Sequence, residues 1–209
     1  MVGCAVLALA ATYYQAVIAD RLAASPANPR IANAEKSIWR GSIMDRNGEI
    51  LTESLERGLD SRVYRGPGSL APLIGYAHPT LGKSGLESAM DQWLSGRGWS
   101  YSRTGLLSTM SRQPDRGYSV RLTIDSRVQR ACEAALAGRR GAAVVVDAAS
   151  GEVLAAASCP WVHPALSESA WDTVVAREDS PLICRPLVGL YPPGSTIKPA
   201  IAGVAIDMG

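Results

Sequence analysis

Residues 118–159 read YSVRLTIDSRVQRACEAALAGRRGAAVVVDAASGEVLAAASC. The stretch divides into a strand, a helix and a hairpin. YSVRLTID reads as a strand. SRVQRACEAALAG reads as a helix, with Asp125 or Ser126 as its N-cap and Gly138 at its end. GAAVVVDAASGEVLAAAS reads as two apolar strands joined by a tight turn at Ala149–Glu152, an antiparallel hairpin. The unbroken apolar run Val144–Val146 predicts cover on both faces of that sheet. Strands and helices in this order predict an α+β fold.

Downstream, PWVHPALSESAWDTVVAREDSPLICRPLVGLYPPG reads as a long, loop-rich crossing. A final helix is expected from near Ser195, with Ile197, Ile201, Val204, Ala205 and Met208 as its buried stripe.

Upstream, residues 97–117 read as an irregular connection. KSGLESAMDQWLSG predicts one helix, in which Ser84 and Glu87 form a capping box. Leu86, Met90, Trp93 and Leu94 share its apolar face, and Gly96 is the C-cap candidate. Residues 58–82 are rich in Gly and Pro, which predicts short strands and loops. In WRGSIMDRNGEILTES the pair Asn47-Gly48 signals a hairpin turn with positive φ at both residues, flanked by Ile43 and Ile50-Leu51.

The first eighteen residues, MVGCAVLALAATYYQAVI, carry no charge and are followed by Asp20 and Arg21. That length just suffices for a helix to cross a bilayer. A cleaved signal peptide fits less well, because no basic region precedes the apolar one. A lipoprotein signal does not fit either, since no apolar stretch precedes Cys4. Residues 1–18 are therefore expected to be a membrane anchor, and AASPANPRIANAEKS a linker.

Composition narrows the function. The chain has 209 residues, 47% hydrophobic and 19% charged, a globular balance. Its net charge of +2, without any Lys/Arg run, gives no nucleic-acid surface. Cys4, Cys132, Cys159 and Cys184 form no CxxC pair, and His78 and His163 are isolated, so no metal site or cofactor is expected. A Cys159–Cys184 disulfide has no support in the sequence.

The strongest chemical signal is Ser195-Thr-Ile-Lys198. Residues three apart lie on the same side of one helical turn. A serine hydroxyl is a weak nucleophile until a base removes its proton. A buried lysine loses pKa and, once neutral, serves as that base. The helix N-terminus and the Ser195 N–H favour a developing oxyanion. Tyr191-Pro192-Pro193-Gly194 makes a stiff approach that holds the serine at a pocket floor. Taken alone S-x-x-K is weak, since a serine N-cap beside a solvated lysine gives the same tetrapeptide.

Five segments in order raise its weight. RGSIMDRNGEILTES, GKSGLES, VRLTIDSRVQRACEAAL, GAAVVVDAASGEVLAAASCP and GLYPPGSTIKP resemble successive segments of the class B penicillin-binding proteins, the monofunctional peptidoglycan D,D-transpeptidases. S-x-x-K is the nucleophile motif of that group. The resemblance implies Ser195 as the acylated nucleophile and Lys198 as the general base. It implies a membrane anchor (1–18), a mixed α+β pedestal or dimerisation-type module (19–115) and the start of a transpeptidase domain with an antiparallel sheet and helices (116–209). It further implies stem peptides ending in D-Ala-D-Ala as substrate, β-lactams as acylating ligands, a polytopic glycan polymerase as partner, and a single-pass location with the bulk outside the bacterial cytoplasm. Two departures stand near the serine: Cys184-Arg185-Pro186 where the family usually has Asn-Arg-Ala, and Ile197 where it usually has Phe.

The companion motifs S-x-N and K-[ST]-G do not follow Ser195. The chain is accordingly expected to be the front part of such an enzyme, inactive alone, and the alternative is a non-catalytic cell-wall scaffold. Lys83-Ser84-Gly85 mimics K-[ST]-G but precedes the nucleophile and opens a helix, which makes it a structural segment. It is not a phosphate loop, because six residues separate Gly75 from Gly82.

Overall fold

The structure, a computed structural model, describes residues 38–96 and 116–208, with Gly3 and Tyr13. The expected anchor (Gly3 and Tyr13 apart), the linker and most of the 97–117 connection lie outside the described residues. Among the described residues no helix is long and apolar enough to cross a membrane. The chain forms two units: one from residues up to Arg65 plus Tyr76–Leu122, the other from Gly66–Gly75 plus Thr123–Gly209.

The first unit is built on a four-stranded sheet. Strands β1 (Ile43–Met44), β2 (Ile50–Ser54) and β3 (Arg62–Tyr64) pair antiparallel. A two-stranded hairpin, β4 (Ala77–His78) with β5 (Gly82–Lys83), stands apart from the sheet. β6 (Val120–Arg121) joins β1 in parallel and closes the order β3-β2-β1-β6. Ile38, Ile43, Leu51, Leu59, Ala77 and Leu94 fill the core.

The expected hairpin after Ile43 forms, but its turn differs. Only Gly48 has positive φ, +88°. Asp45 organises the turn, its Oδ1 accepting the Asn47 and Glu49 N–H groups at 2.8 Å each. The side chain thus replaces the second left-handed residue that a two-residue turn would need.

The expected helix 83–96 is instead two short ones, Gly85–Ala89 and Asp91–Leu94, divided at Met90. Its capping box does not form. Ser84 Oγ accepts the Tyr76 N–H at 3.1 Å. Glu87 is fully buried, and its Oε2 accepts from Arg40 Nε at 2.7 Å while Oε1 accepts from Arg62 Nε at 2.8 Å. Two buried guanidinium groups outbid a backbone N–H for one carboxylate, because an unpaired buried charge costs far more than an uncapped N–H.

The second unit is built on β7 (Gly141–Val146) and β8 (Val153–Cys159), the expected hairpin, in register from Gly141↔Cys159 to Val145↔Ala155 and shifted by one residue at Val146↔Val153. Asp147 organises its turn, accepting from Ala149 N–H and Ser150 Oγ. The helix Ser126–Leu136 is capped by Asp125, whose side chain accepts from the Arg127 N–H. It ends through left-handed Ala137 and Gly138. Cys132, Val128 and Leu136 pack it onto Ala143, Val145, Ala155 and Ala157.

Cover on both sheet faces is not what the described residues show. Val144 and Val146, on the face away from the helix, are 50% and 51% exposed. That face is covered only over the end of β8, where Ala156 and Ser158 are buried. A run of valines records apolar side chains on both faces without fixing what lies against each.

The outer edge of β8 is closed by the entry to the helix. Asp125 N–H donates to Leu154 O at 2.8 Å, and Thr123 Oγ1 to Val153 O at 2.7 Å. Gln129, fully buried, accepts the Ala156 N–H at 2.8 Å and donates to Ser69 Oγ at 3.0 Å. The long crossing holds two helices, Glu168–Val175 and Arg185–Val188.

Candidate active site

The path to Ser195 starts at the end of β8. Ser158 Oγ donates to Ile183 O at 3.0 Å and accepts the Arg185 N–H at 3.2 Å. Arg185 is 4% exposed. Its guanidinium donates through Nη1 to Pro160 O at 3.3 Å and through Nη2 to Asp179 O. A buried cation satisfied by carbonyls holds two loops at once, since the fork of donors is planar and rigid. Burial pushes the neighbouring Cys184 thiol up, and Cys132, Cys159 and Cys184 are all free.

Arg185 opens the helix Arg185–Val188, with Pro186 in its first turn, where a missing N–H costs nothing. Gly189 ends it, donating to Arg185 O at 3.0 Å. A Cβ on Gly189 would lie 2.6 Å from that carbonyl oxygen and 2.5 Å from Cε2 of Tyr191. The Tyr191 ring therefore closes over the turn, at a distance only glycine permits.

Pro192, Pro193 and Gly194 follow, Gly194 with φ +54°. Residues Gly194–Ile197 form a 3₁₀ turn and Lys198–Asp207 an α-helix. Thr196 N–H donates to Pro193 O at 3.2 Å, Thr196 Oγ1 to the same oxygen, and the Lys198 N–H to Ser195 O. Side chains three apart eclipse on a 3₁₀ turn, so Ser195 and Lys198 project to one side. As the second residue of the turn, Ser195 has an N–H free of turn hydrogen bonds and available to a ligand.

Two expectations fail here. Lys198 was expected to be buried, and it is exposed together with Ser195. The stripe of the last helix is exposed as well: Ile201 58%, Val204 59%, Met208 82%, with Ile197 at 44% and Ala205 also exposed. The helix is apolar on nearly every side, so its sequence names no single buried face.

Lys83-Ser84-Gly85 leads into the helix Gly85–Ala89, where Ser84 makes no side-chain cap, and Lys83 Nζ lies 2.9 Å from Asp91 Oδ1. Among the described residues no group of His, Cys, Asp and Glu is placed to hold a metal ion. Sequence reasoning missed Ser158 and the anchoring role of Arg185. The available signal was one charge, Arg185, inside the apolar stretch 181–190.

Residues 40–120 match the penicillin binding protein A dimerisation domain, and residues 141–209 the penicillin binding protein transpeptidase domain. Peptidoglycan D,D-transpeptidase PbpA of Mycolicibacterium smegmatis is 32% identical over 95% of this chain and 44% of its own length. Peptidoglycan D,D-transpeptidase MrdA of Escherichia coli is 34% identical over 62% of this chain and 22% of its own. The structure of penicillin-binding protein A from M. tuberculosis as an imipenem acyl-enzyme complex superposes with a TM-score of 0.70, at 32% identity, over 84% of this chain and 44% of that one. The chain thus spans less than half the length of these relatives.

Proposed function

The chain belongs to the class B penicillin-binding proteins, and from that premise we propose that it carries the acylation centre of a peptidoglycan D,D-transpeptidase, with Ser195 as nucleophile and Lys198 as base. The observation that carries this reading is the tight turn Gly194–Ile197, which presents Ser195 one eclipsed position from Lys198 behind the stiff Pro192-Pro193 approach.

In the reaction, Lys198, with its amine in the neutral form, accepts the hydroxyl proton as Ser195 Oγ attacks the carbonyl of the D-Ala-D-Ala bond. The Ser195 N–H steadies the oxyanion. The C–N bond breaks, and the terminal D-Ala leaves with the proton returned from the lysine. An amine of a neighbouring stem peptide then attacks the ester, forms the cross-link and releases Ser195. A β-lactam follows the first half, its ring amide opening as it acylates the same oxygen. Segment 1–18 anchors the chain in the bacterial cell membrane, with the remainder extracytoplasmic. The module at 19–115 docks a polytopic glycan polymerase. The uncharged run 1–18 supports the anchor, and the polymerase follows from the family resemblance alone.

The test is fluorescent-penicillin labelling of membranes from the organism that makes this protein, beside a Ser195→Ala strain. A band that vanishes in the variant supports the reading. Labelling that survives in the variant refutes it.

A further inference from the structure

We propose that Arg185 is a positioning residue for Ser195, acting with Ser158 to fix where the nucleophile's turn begins; this rests on the reading of Ser195 given above. The segment Arg185–Ser195 is exposed for most of its length, with Leu190 98% and Tyr191 58% exposed. Solvent-facing backbone of this kind takes its geometry from its fixed ends. At its start the fixed end is one buried side chain.

Arg185 is held by three bonds from two directions. Its own N–H meets Ser158 Oγ on β8, Nη1 meets Pro160 O just past β8, and Nη2 meets Asp179 O on the crossing. Ser158 Oγ also holds Ile183 O. The end of β8 is paired with β7 and buried, so it serves as the reference for what is tied to it.

The restraint then passes along the chain. Arg185 O accepts the Gly189 N–H at 3.0 Å, which closes the turn. The Tyr191 ring lies against Gly189 at a distance that excludes any Cβ. Two prolines follow, each with φ fixed by its ring. Pro193 O then receives both the N–H and the hydroxyl of Thr196, next to Ser195. Between Arg185 and Ser195 the chain is thus restrained by hydrogen bonds at Leu187–Gly189, by the ring contact of Tyr191 and by the rings of Pro192 and Pro193. Releasing Arg185 lets the turn rotate as a body without altering Ser195 or Lys198 themselves.

Arg185 touches no reacting atom, so its loss lowers the rate of acylation at saturation and spares initial binding. A small misplacement of a nucleophile costs up to about 100-fold in rate. The experiment follows acylation of the purified, membrane-extracted protein by a fluorescent penicillin, separating the limiting rate from the half-saturating concentration. It compares wild type with Arg185→Ala, Arg185→Lys, Ser158→Ala and Ser195→Ala. The expected result is a limiting rate reduced roughly 10- to 100-fold in Arg185→Ala, with half-saturation within about twofold. Arg185→Lys fails to restore it, because an ammonium has no rigid fork to span two carbonyls. Ser158→Ala shows a smaller fall of the same kind.

A merely structural role would reduce the amount of labelled protein and leave the limiting rate of the folded fraction unchanged; that result overturns the proposal. If Arg185→Ala does not fold, Ser158→Ala decides by the same criterion. Loss of labelling in Ser195→Ala alongside normal rates in the other variants refutes the positioning role alone. Persistent labelling of Ser195→Ala removes the nucleophile, and this inference with it.

Discussion

Glu87 Oε2 lies 2.7 Å from Arg40 Nε, with the two side chains 0% and 3% exposed. The other carboxylate oxygen meets Arg62 Nη2 at 2.7 Å, and the Arg62 side chain is 1% exposed. One carboxylate thus joins the strand entry at Arg40, the edge strand β3 and the helix Gly85–Ala89. Burial lowers the Arg62 guanidinium, while around Arg40 burial is outweighed by Glu87 and Asp91, which leave it above its ordinary value. Replacing Glu87 by Gln leaves two buried cations short of a counter-charge. Such a break costs about 3–5 kcal/mol. Equilibrium urea unfolding followed by tryptophan fluorescence is expected to show that loss in the first unit. A change below about 1 kcal/mol would mean water enters the cluster and the carboxylate is not its keystone.

Asp91 sets a pH dependence. Burial raises its carboxyl, but the hydrogen bond from Lys83 and the charge of Arg40 outweigh burial and hold it below its ordinary 3.8. A carboxylate with a depressed folded pKa binds fewer protons folded than unfolded, so its contribution is complete above about pH 4 and drains away as pH falls through the folded value. The urea midpoint is expected to drop on acidification below about pH 4. Asp91→Asn is expected to lower the midpoint at neutral pH and flatten that drop; an equally steep drop in the variant would assign it to other carboxylates.

Gln129 bridges the Ala156 N–H and Ser69 Oγ from inside the second unit. Gln129→Leu keeps much of the volume and strands the strand's N–H. A buried unsatisfied donor costs about 1–3 kcal/mol. The expected result is a loss of that size, with hydrogen exchange accelerating at Ala156 ahead of the amides paired within β7 and β8. An unchanged exchange rate at Ala156 would contradict it.

Gly48 is the one residue of its turn with positive φ. An added Cβ there would meet nothing within 4 Å, so any cost of Gly48→Ala comes from backbone conformation alone. About 1 kcal/mol is expected, since alanine pays for the left-handed region. Gly189→Ala is expected to cost more, because its Cβ meets a carbonyl and a ring as well. Thermal unfolding of the pair gives the order directly.

Local signals carried much of this architecture. The 141–159 hairpin, the Asp125 cap and the left-handed exit near Gly138 rest on neighbours in the chain, and all three are present. The readings that failed depend on distant partners. Ser84 and Glu87 have the spacing of a capping box, yet Arg40 and Arg62, remote in sequence, claim the carboxylate. Val144–Val146 and the helix Lys198–Asp207 are apolar on more than one side, and apolar character alone names no partner. The Ser195–Lys198 spacing was legible because it lies within one turn. The anchorage of Arg185 was not, because Ser158 and Pro160 reach it from 27 and 25 residues away.

The most direct measurement is the site of the acyl bond. The protein, extracted from native membranes and treated with benzylpenicillin, is digested and mapped by mass spectrometry. The account predicts one adduct, on the peptide containing Gly194-Ser195-Thr196, with fragment ions placing the added mass on Ser195. An adduct on another residue, or none at penicillin concentrations that label other penicillin-binding proteins in the same membranes, would contradict it.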